Sequence, residues 1–420
     1  MKSAEIICVG TELLMGNVIN TNAAYLAEKL SALGFVIYHQ SVVGDNAGRL
    51  KEEIERALER SDILVITGGL GPTEDDLTKE TAAQVMGRSL HEDAEAKRRL
   101  QEYFASRGIE LTDNNWKQAL VPDDSIVLQN DNGTAPGIIM ENESRSVILL
   151  PGPPREMKDM FEVQVIPYLE TKREGVLVSK MIKICGVGES KVETMILDLV
   201  DGQTNPTIAT YAKTGEVDLR VTASAADEDE ARKLLKPMVR ELKTRFGNDI
   251  FTTDEKVTLE KALVDLLEAN KLTISTVESC TGGLLSARLT RVPGISEIFK
   301  AGQITYSNKA KRKLLDVKKS KINKYGAVSK EITEDMCRGG SNMPASDVII
   351  AVTGHLYDDN PDGRPKGTVF IAVNVCGDIT VEEFCFKGNR DKIRESAVSH
   401  ALIVARKCVL KYYSKKAFGE

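Results

Sequence analysis

Short runs of consecutive apolar residues alternate along this chain with longer stretches in which apolar positions recur every three or four residues. The first pattern predicts buried strands and the second predicts helices with one apolar stripe. Their alternation predicts parallel sheets covered by helices. Strands are predicted over 4–9, 36–43 and 63–67, with helices over 21–33 and 47–60 between them. Asn20 or Thr21 is the expected cap of the first helix, and Gly34 stands just past its end. Helices over 78–86 and 93–107 follow, then short strands near Ile138 and Val147. Leu150-Pro151-Gly152-Pro153-Pro154 is a stop-and-turn signal that opens a further helix ending near Glu170. After a linker at 172–175 the pattern changes to strand 178–185, helix 189–199, strands 207–211 and 216–222, and helix 227–246, with Lys213-Thr214-Gly215 as a hairpin turn. Beyond a boundary at 252–256 the α/β alternation resumes. Helices are predicted over 258–269 and 284–289 and from Asn308 and Lys330, and strands over 273–277, 301–305 and 347–352. An antiparallel pair (367–375, 379–386) and a closing helix (390–413) complete the pattern.

A length of 420 residues allows two to four domains, and the pattern divides it into three. Charged residues at 28% and hydrophobic residues at 42% describe an ordinary soluble globular protein. The net charge of −6 argues against wholesale binding of nucleic acid. No apolar run reaches membrane-spanning length, and the first residues pass straight into a strand with no apolar leader. Seven scattered cysteines without a CxxC pair and four dispersed histidines point to reduced thiols and no zinc site. The expected setting is the cytoplasm.

The sharpest local signal is Glu278-Ser279-Cys280-Thr281-Gly282-Gly283, between a predicted strand and a predicted helix. Its glycines permit a tight turn, and the first helical N–H groups are expected to be left over for an anion or a developing oxyanion. A serine there is a nucleophile if a base stands beside it, and a plain N-cap if none does. Tyr306-Ser307-Asn308-Lys309-Ala310-Lys311 follows the next strand. A lysine from it would deprotonate Ser279 only if the two segments were neighbours and burial or a cationic neighbour stripped the amine of its proton. The alternative is an exposed helix face. Val352-Thr353-Gly354 ends a buried strand, where open α/β sheets place ligands. Arg390 and Arg394 stand four apart at a helix start, which suits either an anion clasp or an ordinary surface. In the first domain, the glycines of Gly68-Gly69-Leu70-Gly71-Pro72-Thr73 admit a phosphate. The following Glu74-Asp75-Asp76 suits a divalent cation, or a charged first helical turn.

Taken together, ESCTGG (278–283), YSNKAK (306–311), GAVSKE (326–331) and VTG (352–354) stand in the order seen in the CinA C-terminal family, which includes nicotinamide mononucleotide (NMN) deamidases. GTELLMG (10–16), GGLGPTEDDLT (68–78), NGTAPG (132–137) and LPGPPREM (150–157) resemble the CinA N-terminal domain, itself similar to molybdopterin-binding proteins. GVGES (186–190) and NPTIATYAKTGEV (205–217) resemble the KH-like linker of full-length CinA. The resemblance covers nearly the whole chain. It implies a molybdopterin-binding-like three-layer α/β/α domain at 1–172, a small α+β KH-like domain at 173–253, and an α/β/α deamidase domain at 254–420.

By position in the matched motifs, the resemblance implies that Ser279 is the nucleophile on the NMN carboxamide and Lys311 its general base, with Tyr306 assisting or orienting the lysine. Thr353 and Arg394 would hold the substrate, with Arg390 a second candidate for the phosphate. The N–H groups around Thr281, Gly282 and Gly283 would meet the oxyanion or the phosphate. This site needs no cofactor. The first domain would cleave ADP-ribose with a divalent metal ion at Asp75 and Asp76. Its nucleotide site would comprise Glu12, Asn22, Gly68, Gly69, Gly71, Thr73, Thr134, Pro151 and Glu156. A homodimer is implied, with no membrane and no direct nucleic-acid partner. The middle domain, with one residue between the glycines of Gly186-Val187-Gly188 and an acid after them, lacks an RNA-clamping GxxG loop and reads as a linker or dimer element.

One departure stands out. Where the family continues after Val-Thr-Gly with a small Gly- and Pro-containing loop, this chain carries bulky and acidic residues from His355 to Arg364. Added carboxylates there are expected to repel a phosphate and weaken or redirect the deamidase. Two rival readings follow. In one, a single site is active and the other domain senses nucleotides. In the other, the chain is a non-enzymatic accessory in DNA uptake or recombination.

Overall fold

The computed structural model describes residues 2–172, 174–341, 346–358 and 363–418. Its contacts divide the chain into two compact units, Met1–Val178 with Ala223–Leu234 and Ser179–Thr222 with Leu235–Glu420.

The N-terminal segment runs β1 (Ser3–Val9), α1 (Thr11–Leu14), α2 (Thr21–Ala32), β2 (Val36–Val43), α3 (Ala47–Arg60), β3 (Ile63–Thr67), α4 (Thr78–Val85), β4 (Leu90–Glu92), α5 (Ala94–Arg107), β5 (Leu120–Pro122), β6 (Ile126–Leu128), β7 (Gly137–Glu141), β8 (Ser146–Leu150), α6 (Pro154–Met160) and α7 (Ile166–Glu170). Six strands form one sheet in the order β2-β1-β3-β8-β7-β6. Leu26, Leu30, Met157 and Phe161 cover one face, while Leu50, Ile54 and Ala82 cover the other. The result is the expected α/β/α layering. Asn20 caps α2 by accepting from the Ala23 N–H at 3.0 Å. β1 lies between β2 and β3, both parallel to it. The chain therefore leaves β1 to one side and returns on the other, opening a crevice at the carboxyl ends of β1 and β3.

The middle segment contributes β9 (Val176–Cys185), α8 (Glu189–Asp201), β10 (Thr207–Lys213), β11 (Glu216–Ala225), α9 (Glu228–Phe246) and β12 (Ile250–Thr252). Its sheet has the order β10-β11-β9-β12. Lys213 pairs with Glu216, so the hairpin turn is one residue shorter than its sequence implied, with Gly215 at φ +79°.

The C-terminal segment runs α10 (Leu259–Ala269), β13 (Ile274–Glu278), α11 (Leu284–Leu289), β14 (Phe299–Ile304), α12 (Asn308–Leu315), α13 (Lys319–Tyr325), α14 (Lys330–Gly340), β15 (Val348–Gly354), β16 (Thr368–Val375), β17 (Asp378–Cys385) and α15 (Arg390–Phe418). The sheet order is β14-β13-β15-β16-β17, parallel across its first three strands and antiparallel beyond. Here too the central strand, β13, has its two successors on opposite sides. One face is covered by α10, α11 and α15 through Leu263, Leu285, Ala397 and Ala401, and the other by Leu315, Ile332 and Met336. Cys185 of β9 and Phe251 of β12 belong to the first of these cores, so two strands of the middle segment share apolar interior with α15. Arg288 of α11 reinforces the junction. It pairs with Glu260 at 2.9 Å and with Glu216 of β11 at 3.4 Å, and burial pushes the Glu216 carboxyl up against the pull of Arg288. Removing the guanidinium would strand two buried carboxylates, at about 3–5 kcal/mol.

Several elements have no counterpart in the expected pattern. Strands β4, β5, β6 and β12 are three residues each, too short for alternation to show. Helix α13 (KSKINKY) carries one buried apolar residue, Ile322, on a lysine-rich turn.

Candidate active site

Two clefts stand at the two crevices. In the C-terminal segment, β13 and β14 run parallel with Glu278 beside Ile304. Ser279 and the Thr305–Tyr306 backbone therefore emerge side by side. Helix α12, capped by Ser307 accepting from the Ala310 N–H, then swings Lys311 back beneath Ser279. Lys311 Nζ lies 2.8 Å from Ser279 Oγ, 2.9 Å from the Thr305 carbonyl and 3.3 Å from the Tyr306 carbonyl. The lysine side chain is only 1% exposed. Burial pulls its amine down to about 8, and among the described residues no carboxylate pairs with it. The ammonium donates to all three oxygens; once it loses a proton, its two remaining N–H groups can stay on the two carbonyls and the lone pair is left to face the serine hydroxyl. Lys311 is thus not on an exposed helix face, and Ser279 is not an N-cap.

The adjacent thiol is unsuited to the same role. Burial pushes Cys280 up to about 12, away from the thiolate at neutral pH.

The amides of this turn are distributed differently from what the sequence implied. The buried Glu278 carboxylate folds under α11 and accepts from Gly283 N at 2.9 Å, Leu285 N at 3.1 Å, Ser286 N at 2.8 Å and Ser286 Oγ at 2.5 Å. Gly282 N donates to the Ser279 carbonyl. The N–H groups of Gly282 and Gly283 are therefore spent inside the turn and do not serve a ligand, because the Ser279 carbonyl takes the first and the Glu278 carboxylate, five residues upstream, takes the second. Thr281 is fully buried, with its hydroxyl oxygen unpartnered, and is not part of the cleft lining.

The surrounding cleft has a volume of about 830 Å³. Ser279, Lys311, Tyr306, Thr353 and Arg390 line it, as expected, together with Lys324, His355, Tyr357 and Arg364. Not one aspartate or glutamate is among its described lining residues. Three expectations need correction. Arg394 lies outside the lining, since its guanidinium donates to the Thr281 carbonyl at 3.0 Å behind the turn. The Tyr306 hydroxyl accepts from Arg390 at 3.0 Å, so it is the carbonyl of Tyr306, not its phenol, that touches Lys311. The loop after Gly354 does not set carboxylates against the cleft as far as it is described. Asp358 is turned outward near Lys366 at 3.8 Å, and the loop contributes a cation, Arg364. Positions 359–362 lie outside the described residues.

The N-terminal cleft, about 620 Å³, is lined by every residue the sequence placed there: Glu12, Asn22, Gly68, Gly69, Gly71, Thr73, Asp75, Asp76, Thr134, Pro151 and Glu156. Gly68 sits at φ +103°, and a Cβ on it would meet the Val9 carbonyl at 2.2 Å, so the β3 turn demands glycine. Asn22 Nδ2 donates to Thr67 Oγ1 at 3.1 Å and to the Gly152 carbonyl at 2.8 Å, tying three motifs together. Asp76 accepts from Thr73 N and Oγ1, and Lys117 Nζ donates to the Thr73 carbonyl at 3.0 Å and to the Asp76 carbonyl, which fixes the loop. Asp45, at the end of β2, also lines the cleft and accepts from Thr11. No lysine or arginine is among the described lining residues. Among the described residues no three His, Cys, Asp or Glu side chains converge to hold an ion. The donor set thus fits a hard divalent cation held by one or two carboxylates and completed by water and substrate phosphate, not one caged by protein.

A Clostridium beijerinckii protein whose name places it among competence-damage inducible proteins is 47% identical over 412 residues, spanning 97% of this chain and all of that one. The chain belongs to the CinA family. A CinA-like protein of Dictyoglomus turgidum is 45% identical over 410 residues, covering 97% of this chain and 99% of its own. Family models match in order: "Probable molybdopterin binding domain" at residues 5–171, "Damage-inducible protein CinA KH domain" at 179–252 and "CinA C-terminal domain" at 256–409. The crystal structure of CinA from Thermoplasma acidophilum is 36% identical, covers 40% of this chain and 97% of that one, and superposes with a TM-score of 0.37. Among the described residues no helix is long and apolar enough to cross a membrane.

Three residues of this CinA chain went unread in the sequence. Asp45 had a usable signal, an acid just past a strand end. Glu278 had a weaker one, a charge closing an apolar strand before a Gly-Gly turn. Arg364 had none, because it lies in a loop whose acids dominated.

Proposed function

We propose that the C-terminal cleft hydrolyses the carboxamide of NMN to nicotinic acid mononucleotide and ammonia. The observation that carries this reading is the buried Lys311 amine 2.8 Å from Ser279 Oγ. Ser279 Oγ attacks the carboxamide carbon while its proton passes to Lys311 Nζ. For the tetrahedral oxyanion the turn offers the N–H groups of Cys280 and Thr281, which are bonded to no backbone oxygen and not to Glu278, and lie against the Cys280 thiol. The intermediate collapses, the C–N bond breaks, and the lysine's proton leaves with ammonia. Water, deprotonated in turn by Lys311, cleaves the resulting ester and restores the serine. The cationic lining favours a phosphorylated substrate, and nothing in these steps calls for a metal.

For the N-terminal cleft the reading is metal-dependent cleavage of ADP-ribose to AMP and ribose 5-phosphate. Asp75 and Asp76 would hold a divalent cation, which would supply charge neutralisation for the diphosphate, and the amides of the loop after β3 would donate to the phosphates. The uniformly acidic lining supports a cation-borne substrate. We place both activities in the cytoplasm, in a homodimer divided at 172/173 and 253/254. The test is ammonia release from NMN by the intact chain beside Ser279→Ala. Release that survives in the variant would overturn the assignment of the nucleophile, and no release from the folded wild type would overturn the amidase.

A further inference from the structure

We propose that Arg364, supplied by the loop in which this chain departs from its family, grips the phosphate end of the substrate in the C-terminal cleft. The proposal rests on reading that cleft as the site of a phosphorylated carboxamide. Three arginines compete for the role, and the geometry separates them. Arg394 is outside the cleft, with its guanidinium on the Thr281 carbonyl. Arg390 lines the cleft but donates to the Tyr306 hydroxyl, at the β14 side of the sheet. Arg364 lines it from the other side. Its guanidinium lies 4.9 Å from the centre of the buried Phe370 ring and donates to Glu383 at 2.9 Å.

Strand register shows where this puts the charge. Thr353 of β15 pairs with Phe370 of β16, and Phe370 pairs with Glu383 of β17. The ring under the guanidinium is therefore carried by the strand next to the one that carries Thr353. Ser279 N bonds the carbonyl of Val352, just before Thr353. Arg364 and Arg390 thus bracket the nucleophile from opposite sides of the sheet. The stack on Phe370 and the tether to Glu383 hold the guanidinium plane before a ligand arrives, so little side-chain freedom remains to be lost on binding. A planar fork of N–H donors matches two phosphate oxygens at once. No acidic side chain is among the described lining residues, so the carboxylate a phosphate would face at this guanidinium is that of Glu383, which already holds it from outside the lining.

The test is calorimetric titration of NMN into the full chain carrying Ser279→Ala, so that ligand is not consumed, and into the same chain with Arg364→Gln or Arg390→Gln added. Nicotinamide riboside, which lacks the phosphate, is titrated in parallel. Loss of a charge-assisted bidentate contact predicts that Arg364→Gln weakens NMN about tenfold or more relative to the riboside, and that Arg390→Gln does less. Arg364→Lys, which keeps the charge but loses the stack and fork, is expected between the two. Equal NMN affinity with and without Arg364, a larger loss at Arg390, or no NMN binding at all would overturn the proposal. Ammonia release is scored separately. Arg364-dependent binding without turnover would keep the phosphate grip and discard the amidase.

Discussion

The two clefts occupy the same place in two sheets and have opposite electrical character. Each opens at the carboxyl ends of a central strand whose successors lie on either side, β1 in one sheet and β13 in the other. Among the described residues, the first is lined by Glu12, Asp45, Asp75, Asp76 and Glu156 with no lysine or arginine, and the second by Lys311, Lys324, Arg364 and Arg390 with no carboxylate. Topology therefore decides where a ligand sits and leaves open how its charge is met. An anionic nucleotide entering the acidic cleft must bring a cation, while the cationic cleft already contains its counter-charge. The difference also matches the two proposed chemistries: a phosphoryl bond activated by a metal in one, and an uncharged amide attacked by an activated hydroxyl in the other.

The comparison breaks most visibly at the serine–lysine pair. Ser279→Ala and Lys311→Met are each expected to lower ammonia release from NMN by on the order of 10³-fold or more, while ADP-ribose cleavage persists. Loss of both activities in either variant would show that the clefts are not separate machines. Chelation offers a second break. EDTA should abolish ADP-ribose cleavage and spare ammonia release, and Asp75→Asn or Asp76→Asn should cost the former on the order of 10²-fold. Acidity sharpens the contrast further. Because burial lowers Lys311 from 10.5 to about 8, the amine gains its lone pair as pH rises through 8. The kcat/KM for NMN should therefore climb about tenfold between pH 7 and 9 and then level off. A profile flat over that range would remove Lys311 as the base. The smallest expected effect is that of salt. Raising ionic strength from 0.05 to 0.5 M should raise KM for NMN about two- to threefold by screening the cationic lining.

Much of the architecture was legible because strand and helix periods differ, and because punctuation such as Gly34 and Pro153-Pro154 falls at element ends. The Ser279–Lys311 pair was not legible from pattern. Ser279 and Lys311 are 32 positions apart in sequence, and only the parallel pairing of β13 with β14 brings them together. Their motif likeness named them, and spacing alone left the serine as a cap and the lysine on a surface. Arg394 was misplaced for a related reason. Its spacing from Arg390 fixes one helix face, but says nothing of the Thr281 carbonyl that consumes its donors. The loop 355–364 was read by its acids, because net charge along a segment does not reveal which side chains turn inward.

The core shared by Cys185, Phe251 and α15 has a consequence in time. The first cleft is built from residues up to Glu156, and its sheet can close soon after the first 170 or so have left the ribosome. The second cannot close then. Its apolar face includes Ala397, Ala401 and Val409, carried by α15, which is synthesised after every strand it covers, and strands of the middle segment wait on that same helix. A nascent chain therefore passes through a stage in which one cleft is finished while the strands beneath the other lie uncovered. Helix α15 is what ends that exposure, and a stop codon placed before Arg390 should leave the first sheet intact and deliver the rest to proteolysis.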